Sequence, residues 1–480
     1  MALVEGGQVT FFTKDQINSI HVVSLNVLEK IGVLMDDENV LNLMDKAGAD
    51  VDYKTKIVKI PQHLVSESLQ KTPKSVKLYG RNSNEIVLSK NNVYNGSGNN
   101  AVAILDFDGN KRPATFKDLE DFTRLQDALD NVHIMSTPIT KFADFPLRGI
   151  YKKSYEGVVK NTEKHVINQA DGKKEVFDEV RMAATIMDID LGDVGKKPIF
   201  SMIADMASPL KYPKRVLEVI IESAKFKIPI LMESDPHAGG TAPITASGLL
   251  VQQNAEILAG ITLVQLINPG TPVIYTNAPT VLDMRTGLAS LGAPERGIYV
   301  TASAQLANYY NIPFCTVMGT TDSKIVDVQA GYEKAISFLI AALAGSNIIT
   351  AHTGMLENCL TISYEQSVID NEIYGMVFRL LQSSEISEKT LLEAFEVIKN
   401  VGPLGSNYLG QKHTREYFNT EIWLPAISER NKWETWIKKG RKSALELARE
   451  EAKRILREHH PEPLPRETLE EISEIVKEPI

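Results

Sequence analysis

The chain passes from Ile312-Pro-Phe-Cys-Thr-Val317, an apolar run, directly into Met318-Gly-Thr-Thr-Asp-Ser-Lys-Ile-Val-Asp-Val-Gln-Ala-Gly-Tyr-Glu-Lys334. The first run predicts a buried strand, and the later part of the second stretch predicts a helix. A strand of this kind ends in small polar residues at the carboxyl edge of a parallel sheet, where α/β enzymes keep their functional sites. We therefore expect chemistry at this point of the fold.

Similar apolar runs recur along the chain, separated by amphipathic stretches that are long enough for helices. In chain order the runs are 133–137, 165–168, 198–203, 228–232, 272–276, 312–317, 347–350 and 360–363. Eight strands that alternate with helices favour a closed (β/α)8 TIM barrel. An open doubly wound parallel sheet is the alternative.

The remaining pattern divides the chain into three regions. Residues 1–110 predict a mixed α/β N-terminal region, which includes a Gly- and Asn-rich loop at 92–100 and a hairpin turning at Asp108-Gly109. Residues 111–385 hold the barrel. Residues 386–480 predict a helical C-terminal extension, with helices at 388–399 and at about 430–458.

Composition excludes several classes of protein. Hydrophobic residues make up 43% and charged residues 24% of the 480, as in ordinary globular proteins, and the net charge of −9 disfavours a nucleic-acid partner. Two cysteines form neither a disulfide framework nor a zinc motif. We saw no apolar run near the roughly 20 residues that span a bilayer and no secretory signal, so we expect a cytoplasmic homo-oligomer without membrane contact.

The polar residues at the predicted strand ends are the candidates for chemistry. They are Asn168, Gln169, Ala204, Asp205, Glu233 to Asp235, Asn277, Gly319 to Asp322, and His352. The chain contains no nucleophile elbow, HExxH, GxGxxG or P-loop motif, which disfavours a nucleotide-dependent enzyme. We interpret Glu233-Ser-Asp-Pro-His237, the nearest approach to a ligand cluster, as a solvated loop.

Residues 318–334 resemble the trimethylamine methyltransferase family, and 246–260 and 455–464 are similar to it as well. Archaeal members carry pyrrolysine at or beside the positions of Gly319 and Thr320, where this chain has ordinary residues. The resemblance therefore implies the non-pyrrolysine branch, whose members demethylate quaternary amines such as glycine betaine onto a corrinoid protein. It implies a catalytic segment that contains Gly319, Thr320 and Asp322, with dimethylglycine as the product from betaine.

Methyl transfer from a quaternary amine also explains the missing acid–base pairs. The nitrogen already carries a positive charge and leaves as a neutral tertiary amine, so no general acid has to activate it. The Asp235-Pro-His-Ala-Gly-Gly240 stretch matches a short cobalamin-binding pattern, but no second Gly-Gly pair follows it. We therefore expect the corrinoid to arrive on a partner protein and not to be bound tightly by this chain.

A quaternary ammonium needs aromatic faces or a carboxylate around it. Tyr94, in the glycine-rich loop, and Tyr332 are the aromatic candidates, and Phe145 and Tyr364 are further ones. Asn277, at the carboxyl end of a predicted strand, is a further candidate for substrate binding.

The carboxylate candidate is Glu256. It lies in an apolar helix where an unpaired carboxylate would be costly, so it acts either as the counter-charge of the cation or as a structural hydrogen-bond acceptor.

His352 could hold the carboxylate of a betaine or serve as a structural group. Asp322 could instead brace the helix that follows it.

Two other functions stay open. A barrel lyase or aldolase would use Lys324 to form a Schiff base. A non-catalytic binding protein for quaternary amines would bind betaine without any methyl transfer.

Overall fold

The N-terminal region pairs helices with short strands, in a computed structural model that describes residues 4–402, 405 and 407–479. Its elements are α1 (Lys14–Lys30), β1 (Val33–Met35), α2 (Glu38–Lys46), β2 (Asp50–Asp52), β3 (Ile57–Lys59), α3 (Gln62–Lys71), β4 (Val76–Tyr79) and β5 (Glu85–Leu88). Helix α1 begins where it does because Thr13 and Gln16 form a capping box, in which each side chain accepts the other's backbone N–H.

The barrel follows, with each of its strands succeeded by a helix. The elements are β6 (Tyr94–Asn95), β7 (Ala103–Leu105), β8 (Lys111–Pro113), α4 (Phe116–Asp127), β9 (Met135–Ser136), α5 (Ile150–Lys160), β10 (Val166–Asn168), α6 (Lys173–Met187), a 3-10 helix (Leu191–Lys196), β11 (Phe200–Met206), β12 (Lys211–Tyr212), α7 (Lys214–Lys225), β13 (Ile230–Ser234), β14 (His237–Ala238), α8 (Ala246–Ile267), β15 (Val273–Asn277), β16 (Thr280–Asp283), β17 (Leu288–Ser290), α9 (Glu295–Tyr310), β18 (Phe314–Val317), α10 (Val328–Leu343), β19 (Ile348–Thr350), β20 (Met355–Leu356), β21 (Thr361–Ser363) and α11 (Tyr364–Gln382).

The central sheet closes on itself. Its eight strands, counted within the described residues, run in the order β6-β19-β18-β15-β13-β11-β10-β9, and all neighbours are parallel. A parallel bridge joins Gly96 to Ile134, and the carbonyl oxygen of Asn95 accepts from the backbone N–H of His133 at 2.8 Å. These contacts connect the two outer strands, so the (β/α)8 barrel is confirmed and the open-sheet alternative is wrong.

The identity of one barrel strand differs from the prediction. The run 360–363 contributes β21, which belongs to a separate four-stranded sheet with β20, β7 and β8. The missing barrel strand is β6, inside the stretch expected to be a loop. Gly96 follows this strand because a Cβ there would lie 2.5 Å from Oγ1 of Thr350. The first barrel strand therefore lies before residue 111, where the barrel region is predicted to begin. The division of the chain into three regions stays a prediction.

An apolar plug fills the amino-terminal end of the barrel. Hairpin β4–β5 places Val76, Leu78 and Leu88 against side chains from the strands that point into the lumen. Those side chains are Ile134, Ile167, Ile203, Leu231, Ile274, Cys315 and Ile348. Cys315 packs there as a small apolar residue, as expected. Among the described residues, this plug closes the amino-terminal end, and the lumen opens at the carboxyl ends of the strands.

Helix α8 is long and apolar enough to cross a membrane by length and composition, contrary to the expectation that no such run exists. It is nevertheless a core helix, because 78% of its apolar window is buried inside the protein. Helices α1, α3 and α9 pack on it.

The C-terminal extension is helical, as predicted. It consists of α12 (Glu388–Val401), α13 (Lys412–Glu421), α14 (Trp433–Lys438), α15 (Ala444–Glu458) and α16 (Arg466–Lys477). The single helix expected from about 430 to 458 is interrupted, because Gly440 and Arg441 adopt positive φ angles of 96° and 57°. Helix α15 packs on α11, and α16 packs on α6.

Candidate functional site

The lumen-facing side chains can be read from the alternation along each strand. Ile203 and Leu231 belong to the apolar lumen cluster, so the residues two positions later, Asp205 and Glu233, face the lumen as well. Ser136 and Thr350 meet in the same region, with their hydroxyl oxygens 3.0 Å apart. The lumen therefore changes from apolar at its plugged end to polar at its open end.

Asp205 and Glu233 are neighbours in this polar part, since they are register partners on β11 and β13. Asp205 is exposed and Glu233 is partly exposed. Within the described chain neither carboxyl group has a hydrogen bond or an ion pair. The mouth of the barrel thus presents two adjacent acidic groups that form no ion pair among the described residues.

Asp205 and Glu233 keep some solvent-accessible surface. The surrounding protein nevertheless displaces much of the bulk water that would otherwise solvate their carboxyl groups. This burial, with Asp235 adding to it, raises the pKa of Asp205 to about 7. Burial, Asp205 and Asp235 together raise the pKa of Glu233 well above its ordinary value. The two groups resist ionising together, and a cation placed between them would relieve that cost.

A third acidic residue follows β13. The Oδ1 atom of Asp235 lies 3.5 Å from Nε2 of His237, and Asp235 raises the pKa of that imidazole. His237 is half-buried at the start of β14, which precedes α8. The expectation that 233–237 is merely a solvated loop does not hold for Glu233, which belongs to the strand and faces the lumen.

A small cavity of about 70 Å³ opens beside Asp205. Tyr151, Gln169 and Arg215 contribute to its lining. Arg215 lowers the pKa of Asp205 by its charge, against the stronger effect of burial. A carboxylate and a guanidinium thus lie on one cavity, which is an arrangement suited to a zwitterion.

The segment expected to be catalytic forms part of the wall. The Oγ1 atom of Thr320 accepts a hydrogen bond from the buried guanidinium of Arg296 at 2.6 Å. Asp322 accepts from the backbone N–H of Gly292 at 3.1 Å and from the hydroxyl of Ser290. Gly319 has a φ of 81°, and a Cβ there would lie 3.0 Å from the ring of His352. The hydrogen bonds of Thr320 and Asp322 brace this segment against its neighbours, and a catalytic role for the three residues stays a prediction.

Lys324, the candidate Schiff-base lysine, is exposed. Its Nζ donates to the backbone carbonyl of Asp322 at 2.7 Å. Because it lies outside the lumen, the geometry does not favour a lyase.

Of the two roles left open for Glu256, the structural one matches its surroundings. It lies on α8 behind the wall and accepts from the hydroxyl of Ser208 and the backbone N–H of Leu210, both at 2.8 Å. The hydroxyl of Ser234 and the side-chain amide of Gln252, at 3.0 Å, also donate to it. With four donors around it, this carboxylate is satisfied by the protein and is not available as a counter-charge in the lumen.

The surroundings of His352 likewise match its structural alternative. Its side chain is fully buried, with Nδ1 at 2.5 Å from the hydroxyl of Tyr374 and Nε2 at 3.2 Å from the carbonyl oxygen of Ile349. Burial and the nearby Lys334 lower the pKa of His352 well below its ordinary value. A neutral, enclosed imidazole is a structural group and does not reach a substrate carboxylate.

The other predicted substrate residues also lie away from the open lumen. Tyr94 is paired with Ile348 at the start of β19, which places it at the plugged end. Asn277 is buried, and its Oδ1 accepts from the hydroxyl of Thr316 at 2.8 Å. Tyr332 is exposed on the outer side of α10. The structure therefore brings none of these three together with Asp205 and Glu233.

The further aromatic candidates are packed as well. Tyr364 is stacked between Phe107 and Phe122, at centroid distances of 4.7 and 4.0 Å. Phe145 is partly buried against the apolar core. In the described residues, the aromatic side chain that shares a cavity with Asp205 is Tyr151.

Comparison with known proteins gives a consistent family. A family model described as trimethylamine methyltransferase (MTTB) matches residues 3–478. Glycine betaine methyltransferase of Desulfitobacterium hafniense strain Y51 is 35% identical over 430 residues, covering 89% of this chain and 88% of that protein. Trimethylamine methyltransferase MttB of D. hafniense strain DSM 10664 / DCB-2 is also 35% identical, over 480 residues and 100% and 95% of the two chains. MttB of Methanosarcina barkeri is 32% identical over 486 residues, covering 98% and 96%.

Proposed function

The chain belongs to the trimethylamine methyltransferase family, and we propose that it moves a methyl group from a quaternary amine to the Co(I) corrinoid of a partner protein. The observation that carries this proposal is the pair of acidic groups at Asp205 and Glu233, which face the open lumen and form no hydrogen bond or ion pair among the described residues. A quaternary ammonium is a cation that cannot donate an ordinary hydrogen bond. Negative charge without directional donors is what such a group requires.

The residues of the lumen need only bind and orient this substrate. The nitrogen keeps the electron pair of the broken C–N bond and leaves as a neutral tertiary amine, so no proton has to be delivered. Asp205 and Glu233 hold the cation at one depth in the lumen, and the plug of β4–β5 closes the space behind it. Catalysis then consists of positioning a methyl group toward the open end.

A Co(I) corrinoid, when presented by its carrier protein, supplies the nucleophile for the methyl carbon. The architecture fits an acceptor of this kind, because Asp205 is exposed at the end of the lumen opposite the plug. The rim beside this end carries exposed apolar side chains, among them Ile325 and Val328. We place the docking surface of the carrier on this rim.

Glycine betaine is the first candidate substrate. The cavity next to Asp205 offers Arg215 and the hydroxyl of Tyr151 to a carboxylate, while the acidic pair takes the ammonium. One relative is named for glycine betaine, but relatives named for trimethylamine are as similar. The absence of pyrrolysine at Gly319 and Thr320 supports a quaternary over a tertiary amine.

The test follows dimethylglycine production from glycine betaine in the presence of a carrier protein with Co(I) corrinoid. We expect turnover of betaine and slower turnover of trimethylamine. Asp205→Asn and Glu233→Gln should each weaken betaine binding roughly tenfold or more, because each removes one charged contact. Calorimetry without the carrier measures that binding.

Asp193→Asn is the matched control, because Asp193 lies near the plugged end and pairs with Lys196 at 2.7 Å. It should leave both binding and turnover unchanged. Trimethylamine turnover equal to that of every quaternary amine would contradict the substrate assignment. Tight betaine binding without any transfer would favour a binding protein instead.

A further inference from the structure

The carboxylate of Glu256 contacts both of the chain segments that carry the acidic pair of the lumen. Glu256 is fully buried and is the one charged residue among the 22 of α8. The hydroxyl of Ser208 and the backbone N–H of Leu210 donate to it from the segment after β11, both at 2.8 Å. The hydroxyl of Ser234 donates to it from the end of β13, and Gln252 of α8 completes the set at 3.0 Å. One side chain thus joins the ends of two neighbouring strands to a helix.

These contacts lie within three residues of the two lumen carboxyl groups. Asp205 lies three residues before Ser208. Glu233 lies directly before Ser234 on β13. In the ladder of β11 and β13 the two acidic residues form the last pair but one, and Met206 with Ser234 forms the last pair. The ends of strands open more readily than their middles, so backbone pairing alone holds the acidic pair weakly.

Helix α8 supports the strand ends from the outer side of the barrel wall. Ser234 follows a residue that faces the lumen, so its own side chain points outward to α8. The helix can lie close to the wall because Gly260 has no side chain. A Cβ there would lie 2.8 Å from Cγ of Met232 and from the hydroxyl oxygen of Tyr212. That hydroxyl also donates to the backbone carbonyl of Glu256, which fixes the helix to β12 at the same level.

Packing alone does not require a carboxylate at this place. The rest of α8 is apolar or uncharged, and replacing buried ionic groups by apolar residues of similar volume is often neutral or stabilising. A carboxylate differs from an apolar side chain in offering several directed acceptors. Because Glu256 uses them on both strand ends at once, it selects one arrangement of those ends.

We propose that Glu256 is a positioning residue, which holds Asp205 and Glu233 at the spacing that a bound quaternary ammonium requires. The proposal rests on the proposed function, in which the acidic pair binds that cation. Glu256 itself does not touch the cation, since it lies behind the wall. It acts through Ser208 and Ser234, whose positions fix the direction in which the two strand ends leave the sheet.

Two variants of Glu256 separate positioning from a direct counter-charge. The Oε2 atom accepts from the hydroxyls of Ser208 and Ser234, and a hydroxyl can accept as well as donate. The Oε1 atom accepts from the N–H of Leu210 and the amide of Gln252. In Glu256→Gln the amide oxygen can take the place of Oε1 while the amide nitrogen donates to the two hydroxyls. This variant therefore keeps the hydrogen bonds and removes the charge, whereas Glu256→Ala removes both.

The experiment measures the affinity of the full chain for tetramethylammonium by calorimetry, without a carrier protein. We expect Glu256→Ala to weaken binding about tenfold or more, and Glu256→Gln to stay within about threefold of the wild type. The double variant Ser208→Ala/Ser234→Ala removes the same contacts from the strand side while α8 keeps its carboxylate. It should also weaken binding about tenfold, which tests the proposal even where Glu256→Ala does not fold.

Asn254→Ala is the matched control on the same helix. Asn254 is fully buried, donates to the hydroxyl of Tyr310 at 2.9 Å and accepts from that of Tyr275 at 3.1 Å, away from the ends of β11 and β13. The variant should unfold at lower urea concentration and keep its affinity for tetramethylammonium. A loss of affinity in this control equal to that in Glu256→Ala would overturn the proposal, because any damage to α8 would then have the same effect.

The remaining outcomes separate the positioning role from the proposed function. Unchanged affinity in Glu256→Ala or in the double serine variant, with Asp205→Asn still weakened, would overturn the positioning role and leave the cation site in place. A loss in Glu256→Gln as large as in Glu256→Ala would overturn it in favour of a direct counter-charge. Unchanged affinity in Asp205→Asn would reject the cation site itself, and the positioning role with it.

Discussion

Glu256 and Asp205 are both carboxylates in the barrel, but their surroundings assign them opposite roles. Four donors from the protein surround Glu256, so its charge is already compensated by local hydrogen bonds. Asp205 has no such donors and faces the open lumen. An acidic group that the protein leaves uncompensated costs folding free energy, and under the proposed function a cationic ligand would offset that cost.

His352→Ala should act on stability and not on substrate choice. The variant leaves a cavity beside Phe338 and removes a hydrogen-bond partner from the buried hydroxyl of Tyr374. We expect the free energy of unfolding to fall by about 2–4 kcal/mol. Urea denaturation measures this loss, and calorimetry should show glycine betaine and choline affected to the same extent.

His63→Ala serves as the control, because His63 is exposed in the N-terminal region. A selective loss of betaine affinity in His352→Ala, with stability intact, would show that His352 does contact the substrate carboxylate.

The sequence could supply the strand-end residues but not the direction of their side chains. Asp205 and Glu233 are among the predicted polar strand ends. Neighbouring residues of a strand point to opposite faces, and an error of one residue in the predicted register would turn the wrong side chains toward the lumen. The apolar helix around Glu256 correctly predicted burial and a need for partners. It could not show that those partners, such as Ser234, lie in the wall.

At the scale of elements, apolar runs were enough to predict the strands that are buried on both faces of the barrel sheet. They failed for β6, which has only two residues and is held by backbone pairing to β19 and by the bridge at Gly96. The run 360–363 was misassigned because β21 is equally buried, although in another sheet. Count and alternation therefore predicted the barrel, while the membership of β6 could be recognised only from its pairing in three dimensions.

Helices α10 and α11 are joined by a buried ion pair that supports two barrel strand ends. The Nζ atom of Lys334 lies 3.1 Å from Oδ2 of Asp370 and donates to the carbonyl oxygens of Gly319 and His352, at 3.0 and 2.8 Å. Gln366 donates to the other carboxylate oxygen at 2.8 Å. This one ammonium thus holds the ends of β18 and β19 to both helices.

Lys334→Met should lower the free energy of unfolding by about 3–5 kcal/mol, because it leaves the buried carboxylate of Asp370 without its counter-charge. Adding Asp370→Asn should restore part of this loss, since the uncompensated charge is then absent. Urea denaturation of both single variants and the double variant gives the coupling free energy. Losses that simply add would show that the two side chains do not act as a pair.

At the scale of the whole molecule, negative charge is concentrated where the substrate has to enter. The chain has a net charge of −9, and Asp205, Glu233 and Asp235 gather at the end of the barrel opposite the plug. Low-dielectric walls around such a cluster strengthen its field on an incoming cation. The same field raises the pKa values of the acidic groups, so cation binding and proton binding compete for one site.

Binding of a permanent cation should therefore depend on pH. The pKa of Asp205 is raised to about 7 in the free protein, and a bound ammonium favours its ionised form, so binding releases a proton. Affinity for tetramethylammonium, whose charge does not titrate, should be full above about pH 8 and roughly tenfold lower at pH 6. Calorimetry in buffers of different ionisation enthalpy measures both the affinity and the released proton. In Asp205→Asn the affinity should be lower and its pH dependence flatter, because the titrating group is gone. Affinity that is constant or higher at pH 6 in the wild type would mean that the lumen carboxyls do not hold the cation.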